Sequence, residues 1–164
     1  MERIVRKFWT VAVLVLLGAA GCDRGDHPGR IGKAAPQFVL SDGTRTVDLS
    51  KLRGRVVLLN LWATWCAPCI EELPSLLELQ KKMPELAIVA VSIDQDPDVY
   101  RRFLVQHHVD LLTVRDEDMK VNALYGTAQI PETYVIDRQG VVRRKFVSAQ
   151  VWTSPEIMSY LQKM

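Results

Sequence analysis

Hydrophobic positions along this chain follow two rhythms that alternate. Val56, Val57, Leu58, Leu59, Leu61 and Trp62 form a nearly unbroken apolar run around Asn60, rich in β-branched and aromatic side chains, as in a strand buried on both faces of a sheet. From Cys66 the period changes. Ile70, Leu73, Leu76, Leu77 and Leu79 recur at helical spacing, which predicts a helix over 66–83 with a kink at the interior Pro74. Residues 86–93 (LAIVAVSI) read as a second strand of parallel type and 111–114 as a third. Between them an amphipathic helix over 99–107 presents Val99, Phe103 and Leu104, and a short helix covers 119–125. Apolar stretches on either side of Asp42-Gly43 predict a hairpin, and 133–136 with 141–147 a second one. Ser154 and Pro155 open a last helix, as N-cap and first helical residue. The alternation defines one α/β domain over 34–164.

The N-terminus follows a different pattern. Arg3, Arg6 and Lys7 precede an uncharged stretch over 8–21 dominated by Val11, Val13, Leu14, Val15, Leu16 and Leu17, the order of a secretory signal. That stretch is shorter than the roughly 20 residues of a membrane-spanning helix. Residues 1–21 are therefore expected to be a signal peptide. Residues 22–33, rich in Gly, Asp and Arg and without periodicity, are expected to be a flexible tether, with His27 as a solvated linker residue. The formal charge of the 164-residue chain is +2, and loss of Glu2, Arg3, Arg6 and Lys7 with the signal leaves it near neutral. Nothing in this balance supports nucleic-acid binding.

The chemistry concentrates where the central strand hands over to the helix. Cys66 and Cys69 stand there, separated by Ala67 and Pro68. Backbone N–H groups in a first helical turn lack intrahelical partners and favour negative charge. Thiols of C-x-x-C pairs at such a place can have pKa values lowered from about 8.5 into a range of roughly 3.5–7.5. Cys66 is the expected nucleophile and Cys69, one turn on, the resolving thiol. Pro68 fits the first turn, where no hydrogen bond is lost. The alternatives for the pair are a structural disulfide or half of a zinc site. Zinc takes four ligands, or three with a water, and the domain offers no third cysteine. His107 and His108, at the end of a predicted helix, suit its C-terminal dipole better than a metal.

The run Trp62-Ala63-Thr64-Trp65-Cys66-Ala67-Pro68-Cys69 resembles the active-site motif of the thioredoxin superfamily. The resemblance implies a thioredoxin-like fold with a central mixed sheet flanked by helices, and disulfide exchange through a redox-active Cys66–Cys69 disulfide with no other cofactor and no metal. Ala35-Pro36-Gln37-Phe38 and the turn after it resemble the N-terminal approach of membrane-tethered thioredoxin-like proteins and of peroxiredoxins. An additional helix and strand before the proline loop resemble the TlpA/ResA/CcmG group, thiol:disulfide reductases linked to cytochrome c maturation. Gln129-Ile130-Pro131-Glu132-Thr133 resembles the family's cis-proline loop, which faces the cysteines and pairs with substrate backbone. Ile130 and Pro131, with Trp65, Ala67 and Pro68, are the substrate-binding residues that follow. An acidic residue three after the second cysteine lies near the thiols in the resembling reductases. Here that residue is Glu72, expected either to exchange protons with Cys69, directly or through water, or to be a surface carboxylate favoured by the helix dipole. Glu132 resembles the cytochrome-maturation branch.

Leu17-Gly18-Ala19-Ala20-Gly21-Cys22 resembles a bacterial lipoprotein cleavage box, apart from Ala19 where leucine is usual. The resemblance makes Cys22 the lipidated first residue of the mature protein, accounting for the cysteine left over after the 66/69 pair. Asp23 resembles a signal for retention at the inner membrane. The implied place is the periplasmic side of that membrane, with exported disulfide-containing proteins such as apocytochrome c as clients. A membrane electron donor is implied too, because the compartment is oxidising. The direction of exchange stays open on these residues. A disulfide oxidase or isomerase, a peroxiredoxin-like antioxidant enzyme and a copper-binding assembly factor are the other readings.

Overall fold

The computed structural model describes residues 30–164. The signal, Cys22, His27 and most of the tether lie outside the described residues. In chain order the elements are β1 (Val39–Ser41), β2 (Thr46–Asp48), a 3-10 turn (Leu49–Leu52), β3 (Val57–Trp62), α1 (Ala67–Lys82), β4 (Ala87–Ser92), α2 (Pro97–Gln106), β5 (Leu112–Arg115), α3 (Lys120–Tyr125), β6 (Glu132–Ile136), β7 (Val142–Val147) and α4 (Pro155–Gln162). Five strands form one sheet in the order β5-β4-β3-β6-β7, and β1 and β2 pair separately.

β3 is central because every one of its side chains is buried, as the unbroken apolar run predicts. It runs parallel to β4, with Trp62 beside Ser92, and antiparallel to β6, with Leu61 beside Glu132. Alternate residues of a strand point to opposite faces. Leu58 and Trp62 accordingly join Leu73, Leu76 and Leu79 of α1, Tyr100 of α2 and Leu161 of α4 on one side. Val57, Leu59 and Leu61 meet Val121 and Tyr125 of α3, with Val47 of the hairpin, on the other. The sheet is thus mixed and covered on both faces. Pro74 lies within α1, which continues as one helix to Lys82.

The additional helix and strand are α2 and β5, and β5 takes the sheet edge next to β4. The separate hairpin is held to that edge by Arg45 Nη1, which donates to the Leu111 carbonyl at 2.9 Å, and by Asp42, which accepts the Arg115 N–H at 3.2 Å. The buried face of α2 differs from expectation. Val99 is exposed, and Tyr100 is buried beside half-buried Phe103 and Leu104. Helical spacing groups 100 with 103 and 104, and the Tyr100 hydroxyl is satisfied in the interior by Thr113 Oγ1 at 2.8 Å. His107 stacks on Phe103, with ring centroids 4.0 Å apart, and both neighbouring histidines are exposed.

Leu58 makes no contact with solvent and lies under α1. Leu58→Ala is expected to lower the unfolding free energy by about 3 kcal/mol, through lost transfer energy and the cavity left behind. Urea denaturation of the oxidised protein checks this; a loss below about 1 kcal/mol would mean that β3 is not the centre of the core.

Candidate active site

β3 ends at Trp62, and a tight turn carries the chain into α1, closed by the Cys66 N–H donating to the Ala63 carbonyl at 3.2 Å. Cys66 is the N-cap of the helix, and its Sγ accepts the backbone N–H of Cys69 at 3.3 Å. The sulfur therefore occupies the place that a serine or aspartate oxygen takes in ordinary caps. No acidic residue stands in the first turn of α1, so nothing there opposes negative charge on the sulfur. Cys66 and Cys69 are joined as a disulfide with their Cα atoms 5.3 Å apart. Both are buried, Cys66 at 5% exposure, while the adjacent Trp65, Ala67 and Pro68 are exposed, Trp65 at 66%.

The Ile130–Pro131 peptide bond is cis. The Ile130 carbonyl oxygen lies 3.7 Å from Cys66 Sγ, so the proline loop abuts the sulfur although 64 residues separate them in sequence. The structure thus brings the 65–69 segment, with its two cysteines, and the Ile130–Pro131 loop to one region.

Glu72 is not a surface group. It is 3% exposed and accepts hydrogen bonds from Asn60 Nδ2 at 2.8 Å, the Gln150 N–H at 3.1 Å and the Trp152 indole N–H at 3.1 Å. Desolvation disfavours the charged carboxylate more than these donors favour it, and the Glu72 pKa is raised above its ordinary value. Glu72 and Cys69 line the same small cavity, with Asn60, Trp62 and Leu73.

Several partners escape a reading of the sequence. Asn60 carries a visible signal, a lone amide in a buried apolar strand that needs a polar partner. Gln150 and Trp152 carry none, because they reach Glu72 across 78 and 80 residues. Glu132, directly after the cis-proline, is buried and paired with Lys145 Nζ at 2.8 Å, and it accepts the Tyr134 hydroxyl at 3.1 Å. Lys145 follows Arg143 and Arg144, a cationic run that reads as solvated, yet its side chain is only 6% exposed. Asp94, just past β4, is a buried carboxylate as well.

A family profile described as AhpC/TSA matches residues 31–145. A thiol-disulfide oxidoreductase ResA of Bacillus cereus is 31% identical over 166 residues, covering 96% of this chain and 95% of the relative. A thiol:disulfide interchange protein DsbE of Pseudomonas fluorescens is 36% identical over 144 residues, covering 85% of this chain and 79% of the relative. Among solved structures, a Chlorobium tepidum protein assigned as a thiol:disulfide interchange protein DsbE is similar with a TM-score of 0.71 and 31% identity, over 81% of this chain and 93% of that one.

The raised Glu72 pKa has a definite sign in stability. Between the unfolded and folded values the native state holds the extra proton, so the stabilisation is complete below the unfolded pKa and is lost as pH rises through the folded one. Asp42, Asp48, Asp96 and Asp137, whose pKa values are lowered, act in the opposite sense but are common to wild type and variant. Glu72→Gln is therefore expected to remove a fall in stability with rising pH. Urea unfolding of both oxidised proteins from about pH 4 to 8 reads the difference, and parallel curves would contradict it.

Proposed function

The chain belongs to the AhpC/TSA family and is a thiol-disulfide oxidoreductase of the kind named ResA and DsbE, and from this footing we propose that it reduces disulfides in exported proteins. One observation carries the reading: Cys66 Sγ caps α1 in line with the Cys69 N–H and lies against the carbonyl before cis-Pro131. In the reduced protein a Cys66 thiolate attacks one sulfur of a client disulfide, forming a mixed disulfide and expelling the other client sulfur as thiolate. Cys69, deprotonated, then attacks Cys66 Sγ, forming the Cys66–Cys69 disulfide and releasing the second client thiolate. Two electrons and two protons pass from the dithiol to the client, which leaves with two thiols. The Cys66–Cys69 pair is the redox group.

Trp65, Ala67 and Pro68 supply the surface on which the client lies, and Ile130 and Pro131 pair with its backbone beside the reacting sulfur. Glu72 takes the proton from Cys69 during resolution and returns it on re-reduction. Their shared cavity supports this, as does the raised pKa, which lets the carboxyl hold a proton nearer neutrality than an exposed glutamate does.

The N-terminal sequence supports export by a signal over 1–21, lipidation at Cys22, a tether over 22–33 and residence on the periplasmic side of the inner membrane. Among the described residues no helix is long and apolar enough to cross a membrane. Apocytochrome c is the client class that the additional α2–β5 unit and the Pro-Glu-Thr loop favour. A membrane electron donor restores the dithiol. The AhpC/TSA match does not by itself indicate peroxide chemistry, because the relatives aligned over most of the chain are named for disulfide exchange.

With the resolving thiol removed, Cys69→Ala is expected to accumulate a mixed disulfide between Cys66 and client protein. Non-reducing electrophoresis and mass spectrometry detect it. No trapped species, under conditions where Cys66 remains alkylatable, would end the two-step reading.

A further inference from the structure

Asp94 is buried at the C-terminal end of β4, with both carboxylate oxygens engaged by residue 64. Its Oδ2 accepts the Thr64 backbone N–H at 3.0 Å, and its Oδ1 accepts the Thr64 hydroxyl at 2.6 Å. The carboxylate is itself held. Ser92 Oγ donates to Oδ2 at 2.5 Å and accepts the Asp94 N–H at 3.0 Å. Arg115 Nη1 donates to the carbonyls of Asp94 at 3.4 Å and Gln95 at 3.0 Å, fixing the backbone that follows, and pairs with Glu117 at 2.7 Å.

Sheet register sets up this arrangement. Trp62 and Ser92 are the last registered pair of parallel β3 and β4, and Thr64 and Asp94 each stand two residues beyond it. Just past that pair the Ile93 N–H donates to the Trp62 carbonyl at 3.0 Å, so the two chain ends leave the sheet together. Thr64 is the second residue of the turn closed from Cys66 to Ala63. A residue bonded through both its backbone and its side chain to one immobilised group can neither slide nor turn. The turn therefore delivers Cys66 to a fixed place relative to the Cys69 N–H and the Ile130 carbonyl.

We propose that Asp94, acting through Thr64, is a positioning residue that fixes the Cys66 sulfur as the cap of α1. This rests on the reading of Cys66 as the nucleophile. Asp94 does not touch the reacting atoms. Its two bonds to Thr64 hold the turn, and the turn holds the sulfur where the unpaired N–H groups of α1 stabilise a thiolate. A buried carboxylate is tolerated only when its oxygens are satisfied, and here every donor to it comes from β4 or from the active-site turn. Loosening the turn withdraws the Cys69 N–H from the sulfur, so that thiolate formation needs a higher pH and attack near neutrality slows.

The test uses the full reduced chain carrying Thr64→Val, Thr64→Ser or Asp94→Ala. Iodoacetamide alkylation is followed against pH on the Cys66 peptide by mass spectrometry, alongside the rate of insulin disulfide reduction and thermal unfolding. Thr64→Val removes one hydrogen bond to a charged acceptor and is expected to slow both reactions at pH 7 by about tenfold, with the alkylation profile displaced to higher pH. Thr64→Ser keeps the hydroxyl and is expected to stay within about twofold of wild type. Asp94→Ala, where it folds, should match or exceed Thr64→Val. A wild-type alkylation profile in Thr64→Val overturns the proposal, as does equal impairment of Thr64→Val and Thr64→Ser. Should the wild-type protein fail to reduce insulin, the reductase reading is at fault, and the alkylation profile still decides the role of Asp94.

Discussion

The position of the Cys66 sulfur is set by the point at which β3 gives way to α1, and the rest of the site is arranged around that point. A helix start carries N–H groups that the helix cannot satisfy, and the sulfur takes one of them from Cys69 at 3.3 Å. A mobile helix start could not hold a sulfur in this way. Here the strand before it is buried on both faces and bonded to a neighbour on each side, while the helix after it packs Leu73, Leu76 and Leu79 into the same core. The packing energy of the domain is what keeps a few polar groups in register.

Those polar groups lie beneath the surface of the site. Glu72 receives donors from β3 and from the segment after β7, and Ser148 in that segment donates its N–H to the Pro131 carbonyl at 3.0 Å. One carboxyl thus joins the cysteine helix, the central strand and the neighbour of the proline loop. Glu132 and Lys145 form an ion pair behind that loop, and Asp94 holds the turn before Cys66. Removing a charge from water costs several kcal/mol unless partners meet it, so buried groups like these fix geometry more than they add stability. A site that must bring two sulfurs, a backbone carbonyl and a client together depends on that geometry.

What the sequence made legible follows from distance along the chain. The β3 run, the change of period at Cys66 and the Pro68 turn are local, and the structure keeps each of them. Only a resemblance points Ile130 and Pro131 to the site, since no periodicity places residue 130 beside residue 66. Glu72 is half legible: a resemblance places it near Cys69, but its burial depends on Gln150 and Trp152, far along the chain. The burial of Tyr100 is not legible in the sequence because its ring is apolar and its hydroxyl is not, and only the position of Thr113 shows that the hydroxyl can be satisfied inside. Lys145 and Asp94 look like solvated charges in the sequence. Their burial becomes visible only once strand register brings Glu132 and Thr64 to them.

Whether the cysteine pair gives or takes electrons is decided by its reduction potential, which spans roughly −120 to −270 mV among proteins built on such pairs. Equilibration of the full chain with glutathione or dithiothreitol buffers, with the oxidised fraction of Cys66–Cys69 read by mass spectrometry, measures it directly. A reductase of exported proteins requires a value near the reducing end, at about −270 mV. A value near about −120 mV would make the protein an oxidant of its clients and contradict the account.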